Sequence, residues 1–166
     1  MLNWLRLHSK ENFRRIMVLM VFFIFAYLTH MLLSNFEQQV ISAALILIVF
    51  SGVLTYEYRS LFKRNLTKAE YFFTISFIVF FTILLFATIY SFGISSGRSY
   101  FIENGQKSDL TPSDAIYFSV ITLTTVGYGD IVPVGVFRYF VTVEIFMGLI
   151  YIGTLVYILT KHLDKK

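Results

Sequence analysis

The chain has 166 residues, of which 57% are hydrophobic, 19% aromatic and only 14% charged, with a formal net charge of +4. A soluble domain carries about 25% charged residues, so the composition excludes an ordinary water-soluble fold, and the lack of cysteine excludes disulfides and thiolate metal sites. His8, His30 and His162 show no ligand spacing, and the basic residues lie where membrane topology wants them, so no nucleic-acid partner and no cofactor are expected.

Four apolar blocks are long enough, or nearly so, to cross a bilayer core of about 30 Å as helices. They run Ile16–Leu33, Val40–Tyr56, Tyr71–Phe92 and Val134–Thr160, and the first three contain no Asp, Glu, Lys or Arg. In lipid the backbone must satisfy its own hydrogen bonds, so such blocks read as helices. The first follows a basic stretch, as a signal peptide would. Its run is long, however, and no small-residue cleavage site follows, so a retained helix is expected.

Lys and Arg collect at Arg6–Arg15, at Arg59–Lys68 and at Lys161–Lys166, and are absent from Ser34–Gln39. Cytoplasmic loops collect these residues, which places both termini and the 57–70 loop inside and the other two loops outside. The basic linker could also bind anionic lipid headgroups. Neither of the first two blocks carries the repeated Arg or Lys of a charge-moving voltage sensor, so they are expected to act as scaffold.

The segment between the last two blocks is the informative one. Gly93–Asp109 is polar and reads as an exposed turret. Thr111, Pro112 and Asp114 then form a helix start of the capping-box kind. The apolar stretch from Ala115 to about Leu123 is too short to span, so it is expected to dip back from the outer side, C-terminus inward. The negative end of its dipole would then face a cation. It runs into Thr124-Thr125-Val126-Gly127-Tyr128-Gly129-Asp130. Irregular backbone at membrane depth is tolerated only inside protein or along a water-filled path. Gly127 and Gly129 permit backbone angles that would turn successive carbonyls to one side.

Thr125-Val126-Gly127-Tyr128-Gly129 matches the potassium-channel signature, and Asp114–Pro133 resembles the pore region of bacterial and two-pore-type potassium channels. The resemblance covers about Tyr71–Thr160 and leaves Met1–Arg64 uncovered. It implies that the carbonyls of Thr125, Val126, Gly127 and Tyr128, with the Thr125 hydroxyl, replace the hydration shell of potassium as the permeant ion. One loop supplies a quarter of each ring, so a homotetramer is implied. Gly129 completes the filter, and Thr124, Tyr117 and Asp130 are expected to support it. Asp130 either rings the outer mouth or serves as a structural partner of Tyr117. Ile121 stands where some bacterial relatives carry a carboxylate, and Phe118 lacks a polar tip to hold Tyr128.

Arg138 is expected to snorkel to the outer interface. Glu144 lies deeper and either adds charge near a cavity or hydrogen-bonds the pore helix from behind. Gly148 and Gly153 interrupt the last block. Gly148 falls where the resemblance places a hinge, with close helix packing as the alternative. Below it Leu149, Ile152, Val156 and Thr160 form a candidate pore-facing stripe, so Gly148, Ile152 and Val156 are the gating candidates.

The expected fold is an all-α membrane protein: residues 1–70 as an N-terminal segment, two-helix hairpin and basic linker, and 71–166 as a pore domain. The expected function is a potassium-selective, non-enzymatic channel subunit of a plasma membrane, with compactness pointing to a bacterial one. The alternatives are a non-conducting accessory subunit and a weakly selective monovalent cation channel. The short tail after Lys161 leads one to expect no ligand-binding domain there.

Overall fold

The computed structural model describes residues 36–63, 68–92 and 99–163, together with Val21, Ile24 and Leu28. In chain order the elements are α1 (Phe36–Lys63), α2 (Lys68–Phe92), β1 (Tyr100–Glu103), β2 (Gln106–Ser108), α3 (Pro112–Leu123), β3 (Ile131–Val134) and α4 (Phe137–Leu163). Among the described residues, three helical stretches are long and apolar enough to cross a membrane: Glu37–Tyr56, Tyr71–Ser91 and Phe137–Thr160. The first apolar block, Ile16–Leu33, lies outside the described residues except for Val21, Ile24 and Leu28, which are helical.

Three expectations are corrected. The basic 57–70 stretch is mostly helix, because α1 continues to Lys63 and α2 begins at Lys68; nothing between Tyr56 and Lys63 breaks the helical ladder. The last helix starts at Phe137 rather than Val134, because Val134 is held in β3 and Gly135 turns the chain at φ 69°. The chain is also not purely α-helical. β1 pairs antiparallel with both β2 and β3, in the order β2-β1-β3. Asn104 and Gly105, at φ 51° and 78°, make the two-residue turn with left-handed central residues whose twist suits a hairpin.

α3 begins as its sequence requires. Thr111 is the N-cap, its hydroxyl accepts from the Asp114 N–H at 3.3 Å, and Pro112 occupies the first turn, where a missing N–H costs nothing. Ala115, Phe118, Ile121 and Leu123 bury one side of this helix against α2 and α4. Ala43, Phe50 and Leu54 join α1 to the same core. A smaller cluster of Tyr71, Ile75 and Ile158 joins α2 to α4 toward their other ends.

Of the expected turret Gly93–Asp109, residues 93–98 lie outside the described residues, and 99–109 are less exposed than a free loop. Phe101 is buried and sits against Tyr90 (5.7 Å between ring centroids), Phe118 (5.4 Å) and Phe137 (4.5 Å). One β1 side chain thus touches α2, α3 and α4, and packing of this kind is worth more than the polar sequence around it suggests. Ser99 is buried as well, and its hydroxyl accepts from the Val136 N–H at 3.1 Å.

Replacing the N-cap tests how far α3 depends on its start signal. Thr111→Ala should destabilise the protein by about 1 kcal/mol, seen as a lower melting temperature in detergent. An unchanged melting temperature would show that packing alone holds the helix end.

Candidate functional site: the segment that leaves the short helix

α3 ends by handing its last carbonyls to the chain beyond it. The Val126 and Gly127 N–H groups both donate to the Ile121 carbonyl, at 2.9 and 3.1 Å. The Thr124 N–H and hydroxyl both donate to the Val120 carbonyl, at 3.0 and 2.6 Å, and the Thr125 N–H donates to Thr122. A helix end leaves orphan carbonyls, and here residues 124–127 satisfy them. Ile121 therefore contributes its main chain to this site, while its side chain is buried.

Within the segment φ is positive at Thr125 (59°), Gly127 (51°) and Gly129 (78°). Val126 and Tyr128 between them are not in that region. Left-handed angles at every second residue turn successive peptide groups of a non-helical segment to one side, whereas in a regular β-strand they alternate. Glycine accepts this at no steric cost. Thr125 does not, since a β-branched residue at positive φ is an outlier, and such strain, of order 1–3 kcal/mol, persists only where the surroundings enforce it.

The far end of the segment from α3's C-terminus is tied down by its acid. Tyr117, on α3, donates its hydroxyl to Asp130 Oδ2 at 2.6 Å, and Asp130 Oδ1 accepts the Ile131 N–H at 3.1 Å. The hydrogen bond to Asp130 pushes the Tyr117 hydroxyl up to about 12, so it remains a donor at neutral pH. Asp130 is thus the partner of Tyr117 while also remaining exposed. Val126 and Tyr128 are 52% and 72% exposed, so no described part of the chain covers them.

Glu144 settles between its two expected roles. It is completely buried on α4. Tyr90 of α2 donates to its Oε2 at 2.8 Å. The Ser119 hydroxyl of α3 reaches both Glu144 Oε1 and the Ile83 carbonyl, the latter at 3.1 Å. The carboxyl therefore packs behind α3 and joins three helices. A second polar tie, between Thr82 and Tyr151 at 2.8 Å, links α2 to α4 about two turns away. Sequence reading missed Tyr90, Ser119, Thr82 and Tyr151. The available signal was Glu144 itself, since a buried acid must be hydrogen-bonded. Which hydroxyls in the neighbouring apolar runs would reach it depends on how the helices cross.

Gly148 is a close-packing glycine in this structure. A β-carbon built on it would stand 2.0 Å from the Leu123 carbonyl oxygen and 3.0 Å from its carbon. α4 runs as one helix through Gly148 and Gly153. Leu149, Ile152 and Val156 are exposed along α4 in the single chain. Arg138 is exposed near the start of α4, as snorkelling requires, and its Nε donates to the Pro133 carbonyl at 3.1 Å.

Apolar helices of this length, locked together by a buried acid, make this a helical membrane protein. The family described as Ion channel matches residues 78–165, more than half of the chain. The chain therefore belongs to the ion channel family, which is not a family of enzymes. No curated protein and no solved structure matches it.

Two substitutions check these contacts. Gly148→Ala forces backbone apart and should destabilise by roughly 1–3 kcal/mol or more, whereas Gly52→Ala, with nothing within 4 Å of its added carbon, should be neutral or slightly stabilising. Equal melting temperatures for the two would rule out the close approach. Glu144→Gln offers Tyr90 an acceptor and Ser119 a donor, so it should keep most of the stability. Glu144→Ala strands a buried Tyr90 hydroxyl at a cost of roughly 1–3 kcal/mol. Similar losses for the Gln and Ala variants would dismiss the three-helix tie.

Proposed function

We propose that the chain is one subunit of a potassium-selective channel, with Thr125, Val126, Gly127 and Tyr128 presenting carbonyl oxygens, and Thr125 its hydroxyl, to dehydrated potassium. The observation that carries this reading is the alternation of positive φ at Thr125, Gly127 and Gly129 within a segment that starts at the C-terminal end of α3. Peptide groups that face one way form a ladder of oxygen ligands, and rings of backbone carbonyls are how potassium filters replace hydration water. The helix end adds a partial negative charge that favours a cation.

Four copies complete each ring in this proposal. A single segment supplies one oxygen per level, and a closed ring of identical subunits is the ordinary way to supply the rest. The exposure of Val126 and Tyr128 fits this, because neighbouring subunits would cover the side chains that pack behind the filter. Exposed Leu149, Ile152 and Val156 on α4 would line the inner path, where an apolar constriction can gate by dewetting. α3 would enter from the outer side, with both termini and the basic end of α1 cytoplasmic at a plasma membrane. The basic residues there would meet anionic headgroups.

Ion flux into proteoliposomes containing only the purified chain tests the reading. Potassium should enter, sodium should be excluded, and Gly127→Asp should abolish the flux. Equal sodium and potassium flux would replace the selective filter with a weakly selective one. A folded but silent tetramer under all applied potentials and pH values would favour an accessory subunit.

A further inference from the structure

The strained segment must be held at both ends. On its inner side Ile121 fixes Val126 and Gly127. On its outer side the chain passes from Gly129 through Asp130 straight into β3, which begins at Ile131. β3 is short and pairs with β1 over four residue pairs, Tyr100↔Val134 through Glu103↔Ile131. The outer end of the segment is therefore positioned by whatever positions β1.

β1 is unusually well fixed for an outer loop. Its own hairpin closes through Asn104 and Gly105, and Glu103 faces Gln106 across that turn. Phe101 anchors it in the rings of Tyr90, Phe118 and Phe137. The ladder to β3 also has a readable phase. Pro133 has no N–H to give, and its carbonyl is taken by Arg138 Nε. Its pair with Phe101 is therefore a non-hydrogen-bonded one, with the pairs on either side carrying the ladder bonds. Ile102↔Val132 is thus bonded, and Glu103↔Ile131, next to the filter segment, is non-bonded and close.

We propose that the β1–β2 hairpin is an outer brace for the Thr125–Asp130 segment, a positioning element that acts through β3 rather than by touching the ion. This rests on reading Thr125–Gly129 as the filter. The anchor is Phe101, the grip is the β1–β3 ladder, and the point of delivery is Asp130, which Tyr117 holds from α3. Release of the brace leaves the segment held on its inner side and by Tyr117 alone. Its outer oxygens then lose the fixed spacing that separates potassium from sodium, while the helices that assemble the protein are untouched.

The test uses the full chain in proteoliposomes, with the potassium-to-sodium flux ratio as the readout, beside a measure of tetramer content. Phe101→Ala removes the anchor. A second variant, Asn104→Val with Gly105→Val, opens the exposed turn without touching the core, since β-branched residues resist the left-handed angles there. Both should lower the flux ratio by about tenfold or more, the size of effect expected when one support of about 1.4 kcal/mol is lost, with tetramer content retained.

Rescue separates positioning from mere folding. The chain has no cysteine, so Glu103→Cys with Ile131→Cys makes a single defined pair at non-bonded ladder positions, whose spacing suits a disulfide. Added to the turn variant, the oxidised pair should restore the ratio, and reduction should lose it again. The brace is overturned if both loosened variants assemble and discriminate as the parent does, or if oxidation restores nothing. A parent chain that passes no potassium defeats the filter reading and the brace together. A conducting parent beside loosened variants of unchanged selectivity defeats the brace alone.

Discussion

The last turn of α3 lies directly on α4, and the Leu123 carbonyl occupies the place a β-carbon on residue 148 would need. The rest of the arrangement depends on this approach. Because residue 148 is glycine, α4 comes close enough for Glu144, one turn earlier, to reach Ser119 on α3 and Tyr90 on α2. Because α3 is held there, its orphan carbonyls stand where Thr124–Gly127 can use them. Small residues at helix contacts, with polar groups as ties, are how helices associate where lipid removes the hydrophobic drive.

The same contact changes what a bend at Gly148 would mean. With the Leu123 carbonyl oxygen 2.0 Å from where its β-carbon would stand, even alanine does not fit at this position without backbone movement. Any movement of α4 at this level alters its contact with the carbonyl end of α3, one residue before Thr124. At this level α4 and the end of α3 are joined through one backbone contact and one buried carboxyl.

Around this centre the polar groups divide by depth. Glu144, Tyr90, Ser119, Thr82 and Tyr151 are buried and paired among the helices. Tyr117, Asp130 and Arg138 are exposed and bind main chain or one another near the sheet. The buried set sets the spacing of the helices, because an unpaired polar group there is costly. The exposed set ties the Asp130 end of the segment to α3 and to the start of β3.

Much was legible in the amino-acid sequence alone. Long apolar runs without charge determined the helices, because lipid-exposed backbone has no other partners, and Thr111, Pro112 and Asp114 determined the start of α3 through local capping chemistry. The glycines of Gly127 and Gly129 marked the irregular segment for the same local reason. What only the tertiary structure decided was non-local. Thr125 takes positive φ against its own preference because its neighbours enforce it. Phe101 anchors the hairpin of a polar segment by entering a pocket built from three helices. Gly148 became a packing residue once the Leu123 carbonyl lay against it. Glu144 found its partners 54 and 25 residues away in sequence, at Tyr90 and Ser119. Propensity, capping and hydropathy act over a few residues, and the crossing of helices that brings these groups together is written in no single stretch of the chain.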